Sequence, residues 1–177
     1  MFLLQVPKEN LATKTALCLR FAVWNVQSVN GKSGSICDFV ISNRLDLLAL
    51  SETWLSRMEE ENITIAEITG NLQDYDFFHL PRSGRGGGMG LLLRKGFTLK
   101  LNEVIEFKFM EYMDFNITTH SSTFRLVVIY RTYPSKKNKQ TASMFFEDFS
   151  VLLEDLVVSS EHCSAYWRFK LPHGRAR

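Results

Sequence analysis

The run Leu45-Asp46-Leu47-Leu48-Ala49-Leu50-Ser51-Glu52-Thr53-Trp54-Leu55 constrains this chain more than any other stretch. Apolar residues fill positions 45–50 except for Asp46, and the run leads straight into Glu52. A strand buried on both faces reads this way, and open α/β sheets place their chemistry at the C-terminal ends of such strands. A carboxylate at that point emerges beside a low-dielectric core. It then pairs with a cation or changes its proton affinity, and a divalent metal is a common partner. A half-solvated Glu with no role is the competing reading.

A second run, residues 17–24, is mainly apolar and β-prone and ends at Asn25. Between the two runs, Ser35 is placed to cap a short helix, with Asp38 in its first turn and Ile36, Phe39 and Val40 on one face, ending near Asn43. Strand, helix and strand in immediate succession make a βαβ unit with parallel strands. Asn25 and Glu52 then leave the same edge of one sheet.

The totals allow one domain with a real core: 177 residues, 45% hydrophobic and 23% charged. A net charge of +2 neither demands nor repels a nucleic acid. Cys18, Cys37 and Cys163 are odd in number and lack Cys-x-x-Cys spacing, which argues against a disulfide framework or zinc site and for a reducing compartment. Lys8, Glu9 and Asn10 interrupt the apolar start too early for a signal peptide or membrane span. An intracellular location, nuclear or cytoplasmic, is therefore expected, with no membrane partner and with unused sequons at Asn62 and Asn116.

Further along, residues 1–16 show no period and read as a loose leader. Residues 58–72 read as an acidic loop with at most a turn of helix. Residues 75–80 form a strand that Pro81 and Gly84 break. Gly86-Gly87-Gly88-Met89-Gly90 runs into a further strand at Leu91 and fits neither the dinucleotide nor the Walker spacing, so close backbone approach is the favoured reading over a phosphate cradle. Residues 104–109 and 113–117 alternate with period two, predicting half-exposed antiparallel strands. Residues 124–130 are a third buried strand, delivering Tyr130 and Arg131. Phe145, Phe149, Leu152, Leu153 and Leu156 predict an amphipathic helix over residues 143–157, its stripe serving core packing.

Three buried strands thus end in an amide, a carboxylate and a phenol: Asn25, Glu52 and Tyr130. None is a good nucleophile, and no Gly-x-Ser-x-Gly elbow is present, so acyl transfer is disfavoured. Oxygen ligands suit a hard cation such as Mg²⁺. With amide and phenol donors to orient a phosphate, phosphodiester hydrolysis is the reaction that needs such parts. His79 and His120 lie on or beside strands and read as structural.

Val23-Trp24-Asn25-Val26-Gln27-Ser28, the Asp46–Leu55 stretch, Gly86-Gly87-Gly88-Met89-Gly90-Leu91-Leu92 and Val128-Ile129-Tyr130-Arg131, in that order, resemble the endonuclease/exonuclease/phosphatase family. More narrowly they look like the apurinic-endonuclease-like domain of non-LTR (LINE-like) retrotransposons. The resemblance implies an α/β (α+β) fold, a two-sheet β-sandwich with flanking helices, and Mg²⁺-dependent nicking of DNA. It makes Glu52 the metal ligand, Asn25 a residue beside metal and phosphate, and Tyr130 a donor to the phosphate. The family pattern also calls for Gly-Asp-Phe-Asn after the helix and later for Ser-Asp-His carrying the general base. This sequence has neither, and no Asp or Glu follows Glu161; His162 and His173 have no Asp before them.

The expected organisation is therefore a leader (1–16), a C-terminally truncated family domain (17–160) and an unrelated basic tail (161–177), catalytically inactive and with weak or no Mg²⁺ binding. DNA is the expected partner, with no small-molecule cofactor, and an uncovered sheet would invite self-association. Two alternatives stand beside this reading. One is a non-catalytic nucleic-acid-binding or interaction remnant using Lys136, Lys137, Lys139 and the tail arginines on phosphates. The other is a phosphatase-like member acting on a small phosphorylated substrate, which Arg82 and Arg85 slightly disfavour.

Overall fold

The structure, a computed structural model, describes residues 2–6, 19–55, 62–80, 87–103, 105–119, 123–131, 141–158 and 163–168, with backbone alone at 2–6, 62 and 163–168. The chain divides into two compact units, Met1–Phe97 and Thr98–Arg177, each built on one sheet.

In the first unit, β1 (Phe2–Val6), β2 (Leu19–Asn25), α1 (Ser33–Ser42), β3 (Leu47–Ser51), α2 (Asn62–Asn71), β4 (Tyr75–Leu80) and β5 (Met89–Arg94) follow in chain order. The sheet order is β1-β2-β3-β5-β4. β2 and β3 are parallel and in register from Phe21↔Leu47 to Asn25↔Ser51, which is the predicted βαβ unit. Period-two alternation puts Ala22, Leu48, Leu50 and Leu92 on the face that packs against Ile36, Cys37 and Val40 of α1 and Ile68 of α2. Phe21, Leu47, Ala49 and Leu91 on the other face are buried as well. Each fully buried Leu contributes roughly 1.5–3 kcal/mol, so two-sided burial makes β3 the anchor of the unit.

Three local expectations need correction here. Residues 2–6 of the supposed leader form β1, antiparallel to β2. Helix α1 starts two residues before Ser35, with Lys32 at the N-cap and no side-chain capping bond, so Asp38 lies beyond the first turn. The stretch read as an acidic loop contains the ten-residue α2. Its apolar spacing is sparse, and what stabilises it is burial of Ile68 and Leu72 in the cluster that α1 helps form.

In the second unit, β6 (Thr98–Leu101), β7 (Met110–Thr118), β8 (Thr123–Arg131), α3 (Ala142–Val158) and β9 (Cys163–Arg168) give a sheet in the order β6-β7-β8-β9. Phe145, Leu152 and Leu156 of α3 pack on Tyr112, Val127 and Ile129, so the helical stripe is core. The strand expected at residues 104–109 is absent from 105–107, and pairing begins at Met110. β7 is buried on both faces rather than half exposed, because α3 covers one face and Met113, Phe115 and Ile117 on the other are also closed off. β9 lies within the stretch read as an unrelated tail and pairs parallel with β8, which makes a second βαβ unit with α3. Among the described residues no helix is long and apolar enough to cross a membrane.

Candidate functional site

Because β2 and β3 are parallel, their exits lie side by side, and the pairing continues past the strand ends. Val26 N donates to Ser51 O (2.9 Å), Ser28 N to Glu52 O (2.8 Å) and Val29 N to Thr53 O (3.0 Å). Asn25 Nδ2 donates to Glu52 Oε1 at 2.8 Å, so two residues 27 apart in sequence meet at one sheet edge. The backbone here is held in an unusual state. Gln27, Ser28, Glu52 and Trp54 have φ of 49°, 78°, 57° and 57°, and among the described residues only Arg44, after α1, joins them as a non-Gly residue with positive φ. Each such residue costs on the order of 1–3 kcal/mol, a strain typical of functional sites and here held in place by the backbone bonds.

The amide orientation that serves Glu52 leaves Asn25 Oδ1 buried with no hydrogen-bond partner among the described residues, and Ser51 Oγ is in the same position. Asn25 and Ser51 are register partners, so they share one face, the face turned away from α1 and α2. Together with the Glu52 carboxylate, an acceptor-only group when ionised, they supply hard oxygen atoms to one small region. Sequence reasoning passed over Ser51. A serine before a glutamate carries no signal, and only the register with Asn25 reveals it. No group of three or more His, Cys, Asp or Glu residues gathers as a metal site among the described residues.

The glycine run supports this edge from the neighbouring strand. Thr53 N donates to Gly88 O (3.1 Å) and Trp54 N to Gly87 O (2.9 Å). A Cβ on Gly88, where φ is +81°, would lie 2.8 Å from Thr53 Oγ1, and one on Gly90 would lie 2.9 Å from Phe77 Cζ. These glycines therefore permit close approach; Gly86 lies outside the described residues. Gly88→Ala is expected to lower stability by about 1–3 kcal/mol, since the alanine must hold a left-handed conformation against Thr53. An unchanged urea midpoint would show that the loop adapts at no cost.

Tyr130 stands at the C-terminal end of β8 in the second unit, 7% exposed, on the sheet face opposite α3 and in register with Glu111 and Arg168. The Arg131 guanidinium lies 5.1 Å from the centre of the Phe145 ring. His79 stacks on Phe77 at 6.2 Å, with Nδ1 buried and unpartnered among the described residues. Burial, reinforced by the charge of Asp38, pushes the Cys37 thiol above its usual range. Cys37 therefore stays protonated, directed at Ile68 O (3.8 Å), and acts as a small apolar core residue. Arg82, Arg85, His120, Lys136, Lys137, Lys139, His162 and His173 lie outside the described residues.

Several solved structures share this fold at low identity. Humanised D. rerio TDP2 matches with a TM-score of 0.58 and 16% identity over 84% of this chain and 60% of that one. D. rerio TDP2 in complex with a single-strand DNA product matches with 0.59 and 16% over 84% and 58%. A mannosyl-6-phosphatase from Bacteroides thetaiotaomicron matches with 0.57 and 11% over 84% and 64%. The chain thus spans about three fifths of the length of these structures. Nothing among the curated proteins matches it. The likeness shows a mixed α/β fold of two sheets with flanking helices. Most of the sequence, residues 22–176, also matches the Endonuclease/Exonuclease/phosphatase family, whose members generally use divalent metal ions, and on that match the chain belongs to this family.

Proposed function

We propose that this chain carries one side of a divalent-metal phosphodiesterase site that acts on DNA. The observation that carries the reading is the Asn25–Glu52 hydrogen bond, which fixes a buried carboxylate and leaves Asn25 Oδ1 in need of a partner. Carboxylate, amide and hydroxyl oxygens fit a hard cation such as Mg²⁺, so Glu52 and Asn25 would hold the ion, with Ser51 beside them. A divalent cation bound there would polarise a phosphoryl oxygen and steady the departing one. Asn25 Nδ2 keeps the carboxylate from rotating away, and the strained loop 52–54 holds it at the sheet edge. The family resemblance separately gives the Tyr130 phenol, in the second unit, the role of a donor to phosphate. DNA as substrate is supported by the family and by the single-strand DNA product in the D. rerio TDP2 complex. The narrower relation to non-LTR retrotransposons rests on the four sequence motifs.

One carboxylate and one amide leave most of the coordination to water, so affinity should be in about the millimolar range. Calorimetric titration with Mg²⁺ should show that weak binding, and Glu52→Gln should abolish it. Tight binding that survives Glu52→Gln would place the ion elsewhere. The 177 residues hold neither a Gly-Asp-Phe-Asn nor a Ser-Asp-His segment, and loss of a general base costs about 10²- to 10⁴-fold. This polypeptide and its Glu52→Ala variant should accordingly nick supercoiled plasmid equally poorly. A Mg²⁺-dependent nick lost in Glu52→Ala would show that the chain supplies its own base. The likeness to a mannosyl-6-phosphatase favours a second reading, hydrolysis of a sugar phosphate. Glu52-dependent phosphate release from such a monoester, with no effect on DNA, would select it.

A further inference from the structure

We infer that Trp54 is a stacking platform for a nucleobase of the bound strand, a substrate contact beside the carboxylate site. The inference rests on the DNA-strand reading above and goes beyond it by assigning a residue that reads the base rather than the phosphate.

The argument starts from what holds this side chain. Trp54 is 49% exposed, while its neighbours Thr53 and Leu55 are buried. Its backbone is left-handed, with φ of 57°, and its N–H donates to Gly87 O at 2.9 Å. A bulky aromatic residue is unfavourable in that conformation and also leaves apolar surface in water. Glycine would meet the backbone requirement at lower cost, so the indole is not explained by the turn. Nor is it explained by packing. Of the large aromatic side chains exposed among the described residues, the other, Phe146, lies against Phe145 with ring centres 5.5 Å apart. Trp54 instead sits on a loop pinned from two sides, by Val29 N to Thr53 O and by Thr53 N to Gly88 O. An exposed aromatic on a rigid loop loses little conformational freedom when a flat partner settles on it.

Position selects the partner. Only Thr53 separates Trp54 from Glu52, so their backbones are at most about 7 Å apart. A phosphate held at Glu52 and Asn25 brings the base of its own or the next nucleotide within reach, since successive nucleotides rise about 3.4 Å per strand. Bases offer a π-face whatever their identity, and stacking on an aromatic side chain is sequence-tolerant. A sugar phosphate offers no such face.

The test compares two probes of equal length and charge, a labelled oligodeoxythymidylate and an abasic oligomer with the same phosphates, titrated by fluorescence anisotropy with Mg²⁺ present. The parent chain should bind the thymidylate about tenfold more tightly than the abasic oligomer. Trp54→Ala should erase that difference, and Trp54→Phe should keep most of it. Equal affinity of the parent for both probes, or a base preference that survives in Trp54→Ala, would overturn the assignment. So would failure of the parent to bind either probe. A base preference lost in Trp54→Ala but accompanied by Mg²⁺ binding indifferent to Glu52→Gln would support the platform while overturning the metal reading.

Discussion

Asp114→Ala is expected to cost about 3–5 kcal/mol, the largest effect of any single change considered for this chain. The Asp114 side chain is 1% exposed and that of Arg125 9%. The carboxylate receives Arg125 Nε at 2.9 and 3.0 Å, one terminal guanidinium nitrogen at 2.6 Å, and Asn102 Nδ2 at 2.8 Å. Removing it leaves a guanidinium buried beside β7 without its main counter-charge. Asp155 stands 3.7 Å away but is half exposed, so water screens it and it cannot take over. Against a total stability of about 5–15 kcal/mol for a domain, this loss takes a large share. It should appear as a fall of roughly 6–20 °C in Tm. The double replacement Asp114→Met/Arg125→Leu should recover most of the loss, because well-packed apolar side chains often replace a buried pair at little cost. A single variant within about 1 kcal/mol of the parent would mean that water reaches Arg125 freely.

Leu50→Ala should cost about 2–5 kcal/mol. Leu50 is fully buried in the cluster that joins β3 to α1 and α2, and its register partner on β5 is Gly90, which has no side chain to fill the space. The Phe77 ring lies close over Gly90 and is the group best placed to relax into the cavity, so the loss should fall below the upper end of that range. Ile63→Ala on α2, at 65% exposure, is the control and should stay within about 0.5 kcal/mol. Urea denaturation of the three proteins measures both effects. A loss below about 1 kcal/mol in Leu50→Ala would show that the core closes around the vacancy. Leu50 lies two residues before Glu52, so the same variant also tests how strongly the core supports the site.

Much of the fold was legible because burial imprints a period on sequence. The unbroken apolar run at residues 45–50 could satisfy its side chains only as a strand covered on both faces, and the stripe of Phe145, Leu152 and Leu156 only as a helix on a core. The βαβ logic then placed Asn25 and Glu52 at one edge before any coordinate was known, and their hydrogen bond is the consequence. Helix α2 was not legible, since it draws its stability from contact with the α1 cluster rather than from its own composition. The strand state of residues 163–168 was equally hidden, because parallel pairing with β8 is a relation between distant segments. Asp114 looked like an outward polar position of a half-exposed strand and Arg125 an isolated charge in a buried one, whereas the structure encloses them as a pair. The sequence by itself therefore determined the state of the strongly patterned segments, β2, β3, β8 and α3 among them, and which polar residues end the buried strands. The tertiary structure alone decided register and cover, and with them the pairing of Ser51 with Asn25, the left-handed backbone of Glu52 and Trp54, and the burial of the ion pair. These depend on which backbone lies alongside which, and local residue pattern does not encode that.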